Sequence, residues 1–282
     1  MYWQTSRRQI DLSRPLVMGI LNVTPDSFSD GGRYADPEAA LRRAEAMIAE
    51  GADIIDLGGE STRPGSQPVS ADTEAERTIP IIEAIVKRFD TPISIDTSKS
   101  EVAGRAVDAG AEIINDISGL RFDANMARAA AGRKAGLILM HSRGEFGAMH
   151  SQPAVAEIIG EVTAGLWRSV ETARSAGVAD DAIVLDIGIG FGKTLGQNLE
   201  LIAKLDRLVS EFEPYPILVG TSRKSFIGKI LDDAPPTERL GGSIASALAA
   251  IQNGARIVRV HDVRETVGAI KIAAAIAGEV NK

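Results

Sequence analysis

Residues 93–116 read ISIDTSKSEVAGRAVDAGAEIIND, and the fold can be argued outward from this stretch. An apolar run stops at Asp96, a helical pattern follows over 100–109, and Gly110 stands where a left-handed C-cap residue is wanted. A second apolar run over 112–116 ends on Asn115 and Asp116. Strand, helix, strand, with polar groups at the strands' carboxyl ends, is the unit of a parallel sheet covered by helices.

The unit recurs along the chain. Strands are expected at 16–21, 53–57, 93–96, 112–116, 136–140, 182–186, 216–221 and 256–260. Helices are expected at about 37–50, 72–88, 100–109, 123–132, 154–176, 197–209, 237–253 and 262–279. Ala39, Ala40, Ala44, Met47 and Ile48 share one helical stripe, Asp36-Pro37 is a start signal, and Gly51 and Gly177 are stops. Strict alternation with no low-complexity linker predicts an α/β chain forming one domain over 1–282: a single closed (β/α)8 TIM barrel rather than an open doubly wound sheet. A short N-terminal extension precedes the cycle and is expected to lie as a strand or hairpin against the barrel base.

Composition excludes several classes. Hydrophobic residues make up 44% of the 282 residues, enough for a sizeable core, and aromatics only 4%, which suits parallel strands under Ala-rich helices. A net charge of −7 without a basic stripe argues against a nucleic-acid partner. No cysteine is present, so disulfides and Cys-ligated metals are excluded. Met1–Pro15 is polar and mixed, and no apolar run approaches the roughly 18 residues a membrane span needs. A cytoplasmic enzyme is expected.

In a barrel of this kind the reaction centre lies at the carboxyl ends of the strands. Those positions are Asn22, Asp56, Asp96, Asn115 with Asp116, His141, Asp186, Ser222 with Lys224, and Arg259 with His261. Any one Asp after a strand is ordinarily the N-cap of the next helix. A polar residue at every strand end goes beyond what capping requires. Asp96, Asn115 and Asp186 suit a flat heterocycle bearing an exocyclic amine and ring N–H groups, and Lys224 can donate to its carbonyl or ring nitrogen. Arg259 and His261 fall on one strand face, a donor pair for an anion such as pyrophosphate; the structural alternative is Arg259 pairing with a barrel carboxylate.

Two loops exceed what a strand-to-helix link needs. NVTPDSFSDGG (22–32) carries Phe28, and GGESTRPGS (58–66) carries Thr62 and Arg63. Loops of this kind at a catalytic face act as lids or clamps. The run DIGIGFGKT (186–194) lacks the four-residue gap of a Walker loop and is read as a glycine-rich wall beside Asp186.

GILNVTPDSFSDGG, DLGGESTRPG, SIDT, INDISG, DIGIGFGKT, TSRKSFIG and RVHDV, in this order from about Pro15 to the C-terminus, together resemble the dihydropteroate synthases. The resemblance implies a folate-pathway transferase, a sulfonamide target, that joins 6-hydroxymethyl-7,8-dihydropterin pyrophosphate to p-aminobenzoate. It implies Mg2+ as cofactor, with Asn22 as its protein ligand beside the pyrophosphate. Asp96, Asn115, Asp186 and Lys224 match pterin-holding residues, with Met140 and Phe191 against the ring or its surroundings; Met140 reads equally as a core side chain. Asp96, Asp186 and Lys224 are the catalytic candidates. Thr62, Arg259 and His261 match pyrophosphate contacts, and Phe28, Arg63, Pro64 and Ser225 match contacts to p-aminobenzoate. A homodimer through outer helices late in the barrel is implied as well.

The chain departs from the family pattern at Ile187, where proline is usual, and in the loop 141–150 after the fifth barrel strand. His141 and His150 are expected to be structural. Two other readings compete: a pterin-binding barrel of the methyltetrahydrofolate-dependent methyltransferase type, which needs no pyrophosphate apparatus, and a non-catalytic paralogue. Asn22, Thr62 and the Arg259–His261 pair weigh against both.

Overall fold

The computed structural model describes residues 1–24, 37–61, 66–149 and 152–280. Eight parallel strands close into a barrel: β3 (Leu16–Asn22), β4 (Ile54–Gly58), β5 (Ile93–Asp96), β6 (Ile113–Asp116), β7 (Gly136–Met140), β8 (Ile183–Asp186), β9 (Ile217–Val219) and β10 (Ile257–Val260). The last strand, β10, pairs with the first, β3. Around them run α1 (Pro37–Glu50), α2 (Ala71–Val86), α3 (Ser100–Ala109), α4 (Met126–Arg133), α5 (Ile158–Ser175), α6 (Leu195–Ala203), α7 (Leu205–Glu211), α8 (Ser225–Ile230), α9 (Leu240–Gln252) and α10 (Val263–Val280). The N-terminal extension is an antiparallel hairpin of β1 (Tyr2–Gln4) and β2 (Gln9–Asp11).

Side-chain alternation along each strand builds two cores. Outward residues such as Ile55, Leu57, Ile95, Ile114, Leu137, Leu139 and Leu185 pack under the helices. Inward residues Leu16, Met18, Ile54, Ile113, Ile138, Val184, Leu218 and Ile257 fill the barrel's lower interior together with Trp3 and Leu12 of the N-terminal segment. Trp3 is fully buried, and its indole Nε1 donates to Ala182 O at 2.9 Å. Gly136 leaves room for it, since a Cβ there would stand 3.1 Å from the indole. The hairpin is thus the plug of the barrel base, as expected.

Further along the strands, the same alternation turns Asn22, Asp56, Asp96, Asn115, Asp186 and Arg259 inward above this apolar floor, two residues beyond the inward apolar side chain in β4, β6, β8 and β10. Asp116 has the opposite parity. Its carboxylate leaves the ring and accepts from Ser118 N at 2.8 Å and Leu120 N at 2.7 Å, shaping the turn after β6.

Helix boundaries differ where side chains find other partners. The helix expected over 197–209 is two, broken at Lys204, whose φ of −110° and ψ of 24° lie outside the helical region. The break lets Leu205 and Leu208 both turn into the core. The stretch read as helical from 123 starts at Met126 because Asp123 instead accepts from Ser100 N at 2.7 Å and Asn125 N at 2.9 Å. Helix α5 begins at Ile158, with Glu157 as its N-cap accepting from Ile159 N. Helix α8 has only six residues, too short for periodicity to reveal.

Candidate active site

Arg259 occupies the middle of the inward ring. Its Nε donates to Asp56 Oδ2 at 2.5 Å and its Nη2 to Asp96 Oδ2 at 2.6 Å, reaching from β10 to β4 and β5. Asn115 Nδ2 donates to the same Asp56 oxygen at 3.2 Å. The Asp56 side chain is fully buried, and those of Asp96 and Arg259 keep 13% and 19% of their exposure, so the charges interact at low effective dielectric. Arg259 therefore takes the alternative reading, pairing with barrel carboxylates. Burial would lower its pKa, but Asp56 and Asp96 more than reverse this and hold it above the ordinary arginine value. Burial pushes the Asp96 carboxyl up to about 7; Arg259 pulls it down, while Asp56 and Glu74 push it further up. Asn22 joins from β3. Its register partner Gly58 is in turn the partner of Asp96, and a Cβ on Gly58 would lie 3.6 Å from both Asn22 Oδ1 and Asp96 Cβ, so the two side chains flank the same point of β4.

Asp186 faces the glycine-rich wall. Its Oδ1 accepts from Gly188 N at 2.7 Å, and burial raises its pKa against the pull of Lys224. Gly188 has φ +66°, and a Cβ there would fall 1.8 Å from His141 O. Gly188→Ala is therefore expected to lower the unfolding free energy by about 2 kcal/mol or more. Urea denaturation checks it, and parental stability would mean that the wall can shift freely.

Lys193 is turned into this wall. Its Nζ donates to His141 O at 3.1 Å, Gly188 O at 2.7 Å and Phe191 O at 3.1 Å, which makes it a clamp for the turn and not a phosphate lysine. Burial lowers its pKa to about 7 although Asp186 opposes this. Lys224 Nζ donates to Ile189 O at 2.5 Å and lies 4.8 Å from the centroid of the Phe191 ring, a cation–π distance. Burial lowers its pKa to about 8, with Asp186 pulling the other way.

Met140 pairs in register with Asp186 and joins Ile117, Met149 and Phe191 in a small apolar cluster at the mouth. It therefore packs as a core side chain beside the ring of polar groups. His261 Nδ1 is 3.0 Å from Ser222 Oγ, and its backbone N donates to the same hydroxyl. Ser225 is the exposed first residue of α8, immediately after Lys224. His141 is buried over Gly165, and its pKa is lowered to about 2, by burial first and then by Lys193 and Arg121, so it is neutral. Phe28, Thr62, Arg63, Pro64 and His150 lie outside the described residues.

Sequence reasoning listed Asp56 among the polar strand ends without assigning it a role, yet it is the fully buried partner of both Arg259 and Asn115. Its position two residues after the inward Ile54 is the signal that could have found it. The clamp role of Lys193 had no local signal, because its acceptors are carbonyls of two separate loops.

A closed parallel barrel with buried, oppositely charged groups at the strands' carboxyl ends defines a (β/α)8-barrel enzyme. Residues 18–261 match the family described as pterin binding enzyme. The dihydropteroate synthase of Synechocystis sp. is 49% identical over 263 residues, 93% of this chain and 90% of that protein. A crystal structure of dihydropteroate synthase from Clostridium difficile in the presence of pteroic acid matches with TM-score 0.87 and 45% identity, covering 94% of this chain and 97% of that one. One from Xanthomonas albilineans with 4-aminobenzoic acid matches with TM-score 0.91 and 40% identity over 98% of both chains. The chain belongs to the dihydropteroate synthase family, transferases of folate biosynthesis.

Proposed function

We propose that this chain condenses 6-hydroxymethyl-7,8-dihydropterin pyrophosphate with p-aminobenzoate, giving 7,8-dihydropteroate and pyrophosphate. The observation that carries this reading is the convergence of Asp96, Asn115, Asp186, Lys224 and Arg259 on one barrel mouth, in a chain of this family. Asp96, Asn115 and Asp186 bind the pterin's amine and ring N–H groups, Lys224 donates to its oxygen or nitrogen, and Phe191 and Met140 pack beside it. A pterin that takes the Asp96 carboxylate frees the Nη2 of Arg259, which with His261 and Thr62 then holds pyrophosphate. The C–O bond to pyrophosphate breaks, and positive charge develops on the pterin methylene. Asp96 stabilises that charge, and Asp186 orients the ring. The nitrogen of p-aminobenzoate, held by Ser225, Arg63, Pro64 and Phe28, forms the new C–N bond and gives up a proton. The two long loops exclude water, which would otherwise capture the cation.

Among the described residues, no three carboxylate or imidazole groups cluster as a metal site. Asn22 offers one hard amide oxygen beside Asp96. That donor fits Mg2+, which binds through few protein ligands and completes its shell with water and phosphate oxygens. Bound there with pyrophosphate, it would help neutralise the leaving charge.

The whole chain is read as one domain and a cytoplasmic enzyme; no helix among the described residues is long and apolar enough to cross a membrane. A homodimer is proposed through the late helices, where Ile272 and Ile276 of α10 are each 64% exposed.

Pyrophosphate release tests the reading. It is expected to require both p-aminobenzoate and Mg2+ when the pterin pyrophosphate is present. Release that ignores p-aminobenzoate, or none at all, would point to a different barrel reaction or to a non-catalytic paralogue.

A further inference from the structure

We propose that Lys99 is a positioning residue for the loop after β4, acting through two buried carboxylates at the loop's stem. Lys99 lies three residues beyond Asp96. Its Nζ is 2.9 Å from Glu60 Oε1 and 2.7 Å from Glu74 Oε2. The Glu60 side chain is 7% exposed and that of Glu74, in α2, is fully buried. Glu60 Oε1 also accepts from Val69 N at 2.7 Å, so one carboxylate ties both arms of the loop to the lysine. Nearer the tip, Ser66 Oγ and Ser61 Oγ are 2.8 Å apart, and Arg77 Nη1 donates to Gly59 O at 2.9 Å. A Cβ on Gly59 would stand 2.7 Å from Thr78 Cγ2, so the stem is seated directly on α2. Glu60, Pro68, Lys99, Phe122 and Phe146 line a cavity of about 480 Å³ beside it.

Burying two carboxylates and an ammonium costs desolvation, and apolar side chains of similar volume hold a fold equally well. The ion cluster adds direction: it sets the angle at which the chain leaves the stem at Ser61 and rejoins it at Ser66. Between those residues stand Thr62, Arg63 and Pro64. Lys99 thus couples the loop to the strand end that carries Asp96, an inference that rests on the function proposed above for what the loop contacts.

Glu60→Gln is the discriminating variant, because it weakens the tie to the loop and keeps the Lys99–Glu74 pair that supports the fold. Its KM for p-aminobenzoate is expected to rise roughly fivefold to tenfold, with kcat within about twofold and an unchanged melting temperature. Hydrogen–deuterium exchange of the amides over 59–69 should quicken. Lys99→Arg, which keeps the bridging charge, should stay within about twofold of the parent in KM. Parental exchange rates in Glu60→Gln would overturn the proposal whatever the kinetics. Equal KM increases for both substrates with a lowered melting temperature would also overturn it, as a merely structural role. Faster exchange with a parental KM would sink the loop's assignment to p-aminobenzoate and with it the positioning role, while leaving the family reaction intact.

Discussion

Asp96→Asn is expected to fold like the parent and to release pyrophosphate at least about 100-fold more slowly at saturating substrates. Asparagine keeps the shape and can still accept from Arg259, so the change isolates the negative charge that faces the developing cation. Near-normal turnover would remove Asp96 from the proposed mechanism. The same group makes a pH prediction. Burial lifts its pKa from the ordinary 3.8 to about 7, so the free enzyme carries a full carboxylate only above that value. The acidic limb of kcat/KM should therefore fall near pH 7 and be absent from the residual activity of Asp96→Asn. Stability runs the other way. A carboxyl with a raised folded pKa contributes fully below its ordinary value, and that contribution is lost as pH rises through about 7. Activity gained and stability lost over the same window is the signature to seek, in pH–rate and pH–urea series run together.

Arg259→Met should lower the unfolding free energy by about 3–5 kcal/mol, because it leaves two carboxylates in the barrel without their shared cation. Asp56 is the costlier of the two, being fully buried and bonded to Arg259 through Nε. Asp56→Asn/Arg259→Met should recover part of the loss, and the coupling energy of that cycle measures the pair. Activity should fall too, since the guanidinium is assigned to pyrophosphate once pterin occupies Asp96. If Arg259→Met unfolds at the parental urea concentration, the network does not hold the barrel mouth together.

Both predictions concern residues that sequence reasoning picked out, in roles it resolved unequally. Asp96 and Asp186 were readable because each ends an apolar strand, and strand parity turns them inward whatever else the chain does. Arg259 was readable as a site residue, and pairing with a barrel carboxylate as its alternative, but not that its partners are Asp56 and Asp96, which lie 203 and 163 residues away in the chain. Lys193 reads in sequence as the end of a glycine motif, and only the fold shows its ammonium capping carbonyls of two loops. Helix ends were the least readable feature. Asp123 accepts from Ser100 N, 23 residues away in the chain, and Glu157 caps its own helix locally, moving the starts of α4 and α5 by three and four residues.

The alternation of strands and helices and the inward parity of the polar strand ends are local consequences of side-chain periodicity, and the sequence by itself determined them. Barrel closure decided the rest. It sets β10 beside β3 and carries Arg259 across the interior to two carboxylates. It also places Lys99 between Glu60 and Glu74. Ion pairs are chosen by distance and burial, quantities that exist only after the chain has closed on itself.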